Sequence, residues 1–224
     1  MRLSLAAAAS LLLLSGCASD PDDIRNRPLG PNPSAFIAAE IGFARLAQEK
    51  GQWTAFRETA APEAVMFVPQ RVKARDWLKS QKDPAEAVKW QPHAVYVSCD
   101  GNSGVTTGAW QKGPATGFFT TVWLRDPKSG KINWILDHGD ALSAARAAPE
   151  FIASKQAACG SRPAVPIEAG GEGDDMSVGL SADQTLSWTS TVRADKSRRV
   201  TVRVWDGKTM ANVIDDQVAA PKQP

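Results

Sequence analysis

The hydrophobic residues of this chain change period twice. Behind Ser34, which suits an N-cap, Phe36, Ile37, Glu40, Ile41, Phe43, Ala44 and Ala47 follow at mostly three- and four-residue steps, and Gly51 closes the run. That spacing predicts an amphipathic helix. A shorter helix is expected over Gln52 to Ala60, with Trp53 and Phe56 on one side and Pro62 beyond its end. Ala64 to Val68 then reads as a strand, Val72 as the start of another, and Arg75 to Gln81 as a short helix around Trp77 and Leu78.

From Val88 the period falls to two. Strands are predicted over Val88 to Ser98, Gly104 to Gln111, Gly117 to Arg125 and Lys131 to His138, with turns at DGNSG, KGPAT and DPKSG. Pro92 should break or bulge the first of them. In the third, Phe118, Val122 and Leu124 alternate with Phe119, Thr121 and Trp123, and in the fourth Trp134 and Leu136 oppose Ile135. A sheet wetted on one side would carry polar residues there, so both faces are expected to be covered. The N-terminal helices would cover one, and a partner subunit or the C-terminal segment the other.

Beyond the meander, Ala147 to Ala158 suits one more helix, and Ser161 to Ser181, rich in Gly, Pro and acids, reads as a flexible loop. Alternation returns at Leu186, Trp188, Ser190 and Val192 and again at Val200, Val202 and Val204, and an Asp206-Gly207 turn leads to a third run ending near Val218. Three short strands are not stable alone, so this unit should dock on the first sheet. The expected organisation is a leader over 1–16, a tether over 17–33, an α+β domain over 34–158, a linker over 159–182, a three-stranded β extension over 183–218 and a tail over 219–224.

The leader has one charge, Arg2, then a Leu and Ala run from Leu5 to Leu14 and the small pair Ser15 and Gly16. This is the pattern of a secretory signal, too short for a spanning helix. Leu14, Ser15, Gly16 and Cys17 resemble the bacterial lipobox, which implies cleavage before Cys17 and acylation of that residue. Two lipid signals give stable attachment where one chain is marginal. Ala18 stands where Asp would signal inner-membrane retention, so the resemblance implies the outer membrane, facing the periplasm. Residues 18–33, ASDPDDIRNRPLGPNP, hold four prolines and suit a semi-rigid tether.

Losing residues 1–16 lowers the formal charge from +2 to +1, and no basic run is long enough to offset this near-neutral balance, which argues against nucleic acid as a partner. Of three cysteines, lipidation leaves Cys99 and Cys159. An oxidising compartment favours a disulfide between them over two buried thiols.

The order of two helices, a strand pair, a short helix and a long antiparallel meander resembles the nuclear-transport-factor-like, cystatin-like α+β cone, of which the SnoaL-like cyclases and ketosteroid isomerase are members. The segment AEIGFARLAQEKGQWTAFRETAAPEAVMFVP, Ala39 to Pro69, is similar to its opening, and Trp134 to Gly139 to its closing strand. The resemblance spans residues 34–140. It implies N-terminal helices packed on a curved antiparallel sheet around a conical apolar pocket, for which Phe43, Trp53, Phe56, Trp90, Trp110, Trp123 and Trp134 are the available wall. Equally, aromatic residues at these spacings suit a plain core.

Acid or base chemistry in such a pocket needs a titratable group in a low-dielectric site and a donor to the developing oxyanion. The candidates are Asp137, His138 and Asp140, with Asp100 and Tyr96 outside them. Alternation puts Asp137 and His138 on opposite faces, whereas His138 and Asp140 share one, where the carboxylate can orient the imidazole. Tyr96 is the one tyrosine and no second buried acid stands out beside it, a departure from the isomerase branch. His93 and His138 are far apart with no ligand spacing, so no metal is expected. Residues 101–104 miss the nucleophile-elbow pattern, GGEGDD lacks calcium-loop spacing, and no cofactor is implied. The leading expectation is a lipid-anchored protein whose cone-type domain binds a small apolar ligand or a protein partner, as a homodimer or with another envelope protein. The alternative is a cyclase, dehydratase or isomerase using His138 or Asp137.

Overall fold

The computed structural model describes residues 30–161, 163 and 170–221, so Cys17, the leader and most of the tether lie outside the described residues. Helix α1 runs Pro33–Lys50 and buries Phe36, Glu40, Phe43 and Ala47, a single stripe along its length. Its N-cap is Asn32, two residues before the expected Ser34, with Pro33 in the first turn, where a missing N–H costs nothing. Gly51 ends it at φ +105°, and a Cβ there would lie 2.4 Å from the Asp83 carboxyl carbon. Both the backbone and this close approach require glycine.

Asp83 comes so near because it caps the next helix, α2 (Gln52–Thr59), from a distant loop. Thr54 donates from its backbone N to Asp83 Oδ1 (3.0 Å) and from Oγ1 to Oδ2 (2.6 Å). The first of these bonds satisfies an amide that a helix start leaves open, and together they hold the Asp83 carboxyl below the usual range.

Seven strands form the first sheet: β1 (Ala60–Phe67), β2 (Arg71–Lys73), β3 (Lys89–Val97), β4 (Ser103–Lys112), β5 (Ala115–Arg125), β6 (Ile132–Leu142) and β7 (Ala153–Gln156), with the short helix α3 (Ala74–Leu78) after β2. Their order is β2-β1-β6-β5-β4-β3-β7. The sheet is mixed rather than wholly antiparallel, since β1 runs parallel to β6 and β7 parallel to β3.

Strand β7 replaces the helix expected over Ala147 to Ala158. Its alanines favour a helix, but tertiary context overrides propensity, and here Ala153 to Gln156 instead complete the open edge of β3 from Ala94 to Val97. The Cys99–Cys159 disulfide, with Cα atoms 5.4 Å apart, fastens the chain just past that pairing. In β3 itself the register shifts between Pro92 and Ala94, the expected place for a bulge.

A second bulge corrects the fourth strand of the meander. The β5/β6 register shifts between Val122, paired with Leu136, and Trp123, paired with Trp134. Ile135 is the extra residue, so Trp134 packs on the helix side while Leu136 packs on the other. Strict alternation would have put both on one face.

The second sheet has four strands, not three: β8 (Asp175–Leu180), β9 (Leu186–Val192), β10 (Arg198–Trp205) and β11 (Met210–Val218), in the order β11-β10-β9-β8. Strand β8 falls inside the segment expected to be a flexible loop. It pairs with β9 along its whole length, and Gly179 permits this because a Cβ would lie 2.1 Å from the Trp188 ring.

Two cores result. Helices α1 and α2 pack Phe36, Phe43 and Phe56 against Val95, Val97, Trp123 and Trp134. On the opposite face, Leu186, Trp188, Val202, Val204 and Ile214 of the second sheet cover Val105, Val122 and Leu136. The C-terminal segment therefore covers the outer face, for which a partner subunit was the alternative. Polar contacts fix the docking. Arg71 donates from Nε to Asp175 Oδ2 (3.0 Å), from Nη1 to Ser190 Oγ (2.9 Å) and from Nη2 to Ser190 O (2.9 Å). At the other end, the Asp100 amide donates to Asp183 Oδ2 (2.7 Å).

Candidate functional site

On the helix side, one end of the sheet stays unfilled and leaves a cavity of about 230 Å³. Phe43, Trp53, Phe56, Trp90, Trp110 and Phe119 form most of its wall, with Met66, Gln52 and Asp137. The rings brace one another edge to face: Phe43 with Phe56 (4.7 Å between centroids) and Trp90 (4.9 Å), and Trp53 with Phe56 (5.4 Å). Such pairs add to burial and keep the wall from collapsing inward.

Five of the seven aromatic residues expected in the wall are there. Trp123 and Trp134 are not: they are fully buried in the core below, each with its indole N–H satisfied, Trp123 by Thr106 Oγ1 (2.8 Å) and Trp134 by Thr59 Oγ1 (3.0 Å). Phe119, Met66 and Gln52 join the wall without having been expected there, as do Phe67, Val88, Phe118 and Gly139, and His138 borders the same space.

Asp137 is the carboxyl of the cavity. It is packed about by protein yet still forms part of the wall, and its Oδ2 accepts from Thr121 Oγ1 (3.0 Å). Burial, reinforced by the nearby Glu40 carboxyl, pushes its pKa up to about 7. Desolvation penalises the ionised form of a carboxyl.

Glu40 is the residue that sequence reasoning passed over. It occupies a core position of α1 and is fully buried. Trp90 Nε1 donates to Oε1 (2.6 Å), and Thr106 Oγ1 donates to Oε2. Burial raises its pKa to about 7 despite these donors. The signal was present, because Glu40 falls in step with Phe36, Phe43 and Ala47, where an acid is rare unless paired.

His138 and Asp140 are not brought into a catalytic pair. The His138 ring packs against Phe67 (5.3 Å) and Phe118 (5.8 Å), and neither ring nitrogen has a partner among the described residues. Burial, with the Arg198 charge nearby, lowers its pKa to about 3. Asp140 instead accepts from Arg198 Nη2 (2.9 Å) of the second sheet. As alternation required, Asp137 turns toward Glu40 and His138 toward Arg198, yet both border the one cavity, which opposite faces of a strand were not expected to allow. Tyr96 donates to Val213 O (3.5 Å) between the sheets, and Asp100 accepts from Ser98 Oγ (2.5 Å), so neither belongs to the cavity. Among the described residues no three His, Cys, Asp or Glu side chains are grouped to hold a metal ion.

No family model matches this chain, and no curated protein matches it. Among solved structures it is similar to a cystatin-like fold protein from Burkholderia xenovorans LB400, with a TM-score of 0.40 and 14% identity over 50% of this chain and 92% of that one. It is also similar to an NTF-2 like protein of unknown function from Shewanella oneidensis MR-1 (TM-score 0.39, 14% identity, 48% of this chain and 98% of that one). A third, from Silicibacter pomeroyi DSS-3, is likewise an NTF-2 like protein of unknown function (TM-score 0.37, 12% identity, 50% and 99%).

Proposed function

We propose that this chain is a lipid-anchored, periplasm-facing protein of the outer membrane whose cone-type domain takes up a small apolar ligand. One observation carries the binding reading: an aromatic cavity of about 230 Å³ with a single carboxyl, Asp137, in its wall. Ligand sites of this kind are mostly apolar with a few placed polar groups. The lipobox-like Leu14 to Cys17 and the disulfide, which suits an oxidising compartment, support the location.

Native mass spectrometry of the purified protein tests the binding reading, with a co-purified small molecule expected and its loss expected on Phe56→Ala substitution. Intact-mass analysis of the mature chain tests the anchor, with an acylated Cys17 expected as its first residue.

A second reading follows from Asp137 alone. A carboxyl with a pKa of about 7 beside an apolar cavity is suited to take and return a proton near neutrality. It would then act as the acid/base of a cyclase, dehydratase or isomerase reaction. His138 does not share that role in this reading, since its ring is packed between Phe67 and Phe118.

A further inference from the structure

The cavity wall is unbalanced in charge. Asp137 Oδ2 has Thr121 as its donor, but Oδ1 has no hydrogen-bond partner among the described residues, and no lysine or arginine lines the cavity. Glu40 places a second carboxyl behind Asp137. The other titratable group bordering the space, His138, stays neutral because of its burial.

A neutral apolar guest would leave Asp137 Oδ1 unmet, and an anion would be repelled. An ammonium group meets two attractions at once: the carboxylate, and the aromatic rings that surround it, both strengthened where water is excluded. The volume limits the guest. A cavity of ~150 Å³ holds benzene, so about 230 Å³ suits one ring or a compact branched chain with a small polar head.

We propose that the ligand of this cavity is a small apolar amine, seated with its ammonium group against Asp137 and its body among Phe43, Trp53, Phe56 and Trp90. This rests on the reading of the cavity as a ligand site. Binding of the cation releases the Asp137 proton to solvent, so affinity for a permanently charged guest climbs with pH and levels off once the carboxyl is ionised. Glu40 titrates in the same range and with the same sign, while His138 does not change charge there.

The test is calorimetric titration of the whole chain with benzyltrimethylammonium and with its uncharged carbon isostere, neopentylbenzene. The cation should bind at least tenfold tighter at pH 8, and its affinity should fall about tenfold between pH 8 and pH 6. Asp137→Asn should abolish the preference while leaving neopentylbenzene affinity within about twofold, which also shows that the variant is folded. Equal or weaker binding of the cation, or a preference that survives in Asp137→Asn, overturns the inference while the ligand-site reading stands. Binding of neither compound overturns both.

Discussion

Glu40 of α1 and Asp137 of β6 come together in the core from positions far apart in sequence, and the presence of Glu40 raises the proton affinity of Asp137 further than burial alone. Each carboxyl has a pKa near 7 in the fold against about 4 in an unfolded chain. Between those values the folded state binds more protons, so each group makes stability fall as pH rises from about 4 to 7. Glu40→Gln removes its share of this slope. The variant should therefore gain on the wild type across that window, by roughly 1 kcal/mol per pH unit at most, and the gain should stop growing above pH 7. Thermal unfolding of both proteins at half-unit pH steps measures the difference.

His138 works in the opposite direction. Its pKa of about 3 lies below the unfolded value, so between about pH 3 and 6.5 the unfolded state binds the extra proton and stability rises with pH. In wild type this partly cancels the slope from the two carboxyls. In an Asp137→Asn, Glu40→Gln double variant the histidine term should stand out, giving a midpoint that climbs from pH 4 to 6.5. Adding His138→Phe to that background should flatten the climb.

How much of this was legible in the sequence depended on whether one segment sufficed to decide it. Helices α1 and α2, the meander strands and the opposition of Asp137 to His138 follow from local period, and the observed structure has them. Strand β7 does not, because its pairing with β3 and its tie through Cys159 are long-range facts that outweigh an alanine-rich composition. Strand β8 was hidden by the Gly and acid residues around a short alternation, Met176, Val178 and Leu180. The tryptophans divide by depth in the fold, which spacing does not encode. Trp53, Trp90 and Trp110 border the cavity, whereas Trp123 and Trp134 fill the core. Glu40 was visible as an acid on an apolar stripe, but its partner lies on another strand of chain.

The disulfide should matter for the edge of the first sheet. It closes a loop with a sequence separation of 60, for which removal of the cross-link costs roughly 2–4 kcal/mol. Replacing both Cys99 and Cys159 by serine should lower the denaturant midpoint accordingly. Hydrogen exchange should speed up first over Ala153–Gln156, since β7 makes its ladder bonds only with β3.

Arg71 joins the two sheets, and its contribution is distinct from apolar packing. Its guanidinium gives hydrogen bonds to the Asp175 carboxylate and backbone and to the Ser190 hydroxyl and backbone, from a side chain only 12% exposed. Arg71→Ala leaves those acceptors without their donor, a loss of roughly 2–3 kcal/mol for charge-assisted bonds at a partly buried site. Arg71→Lys should recover little of it, because one ammonium cannot reproduce a planar fork that reaches two residues at once. If the contact is specific to docking, amide exchange should increase in β8 and β9 while α1 and the strands around Glu40 keep their protection. Uniform loss of protection across both sheets would show instead that the two cores unfold as one unit.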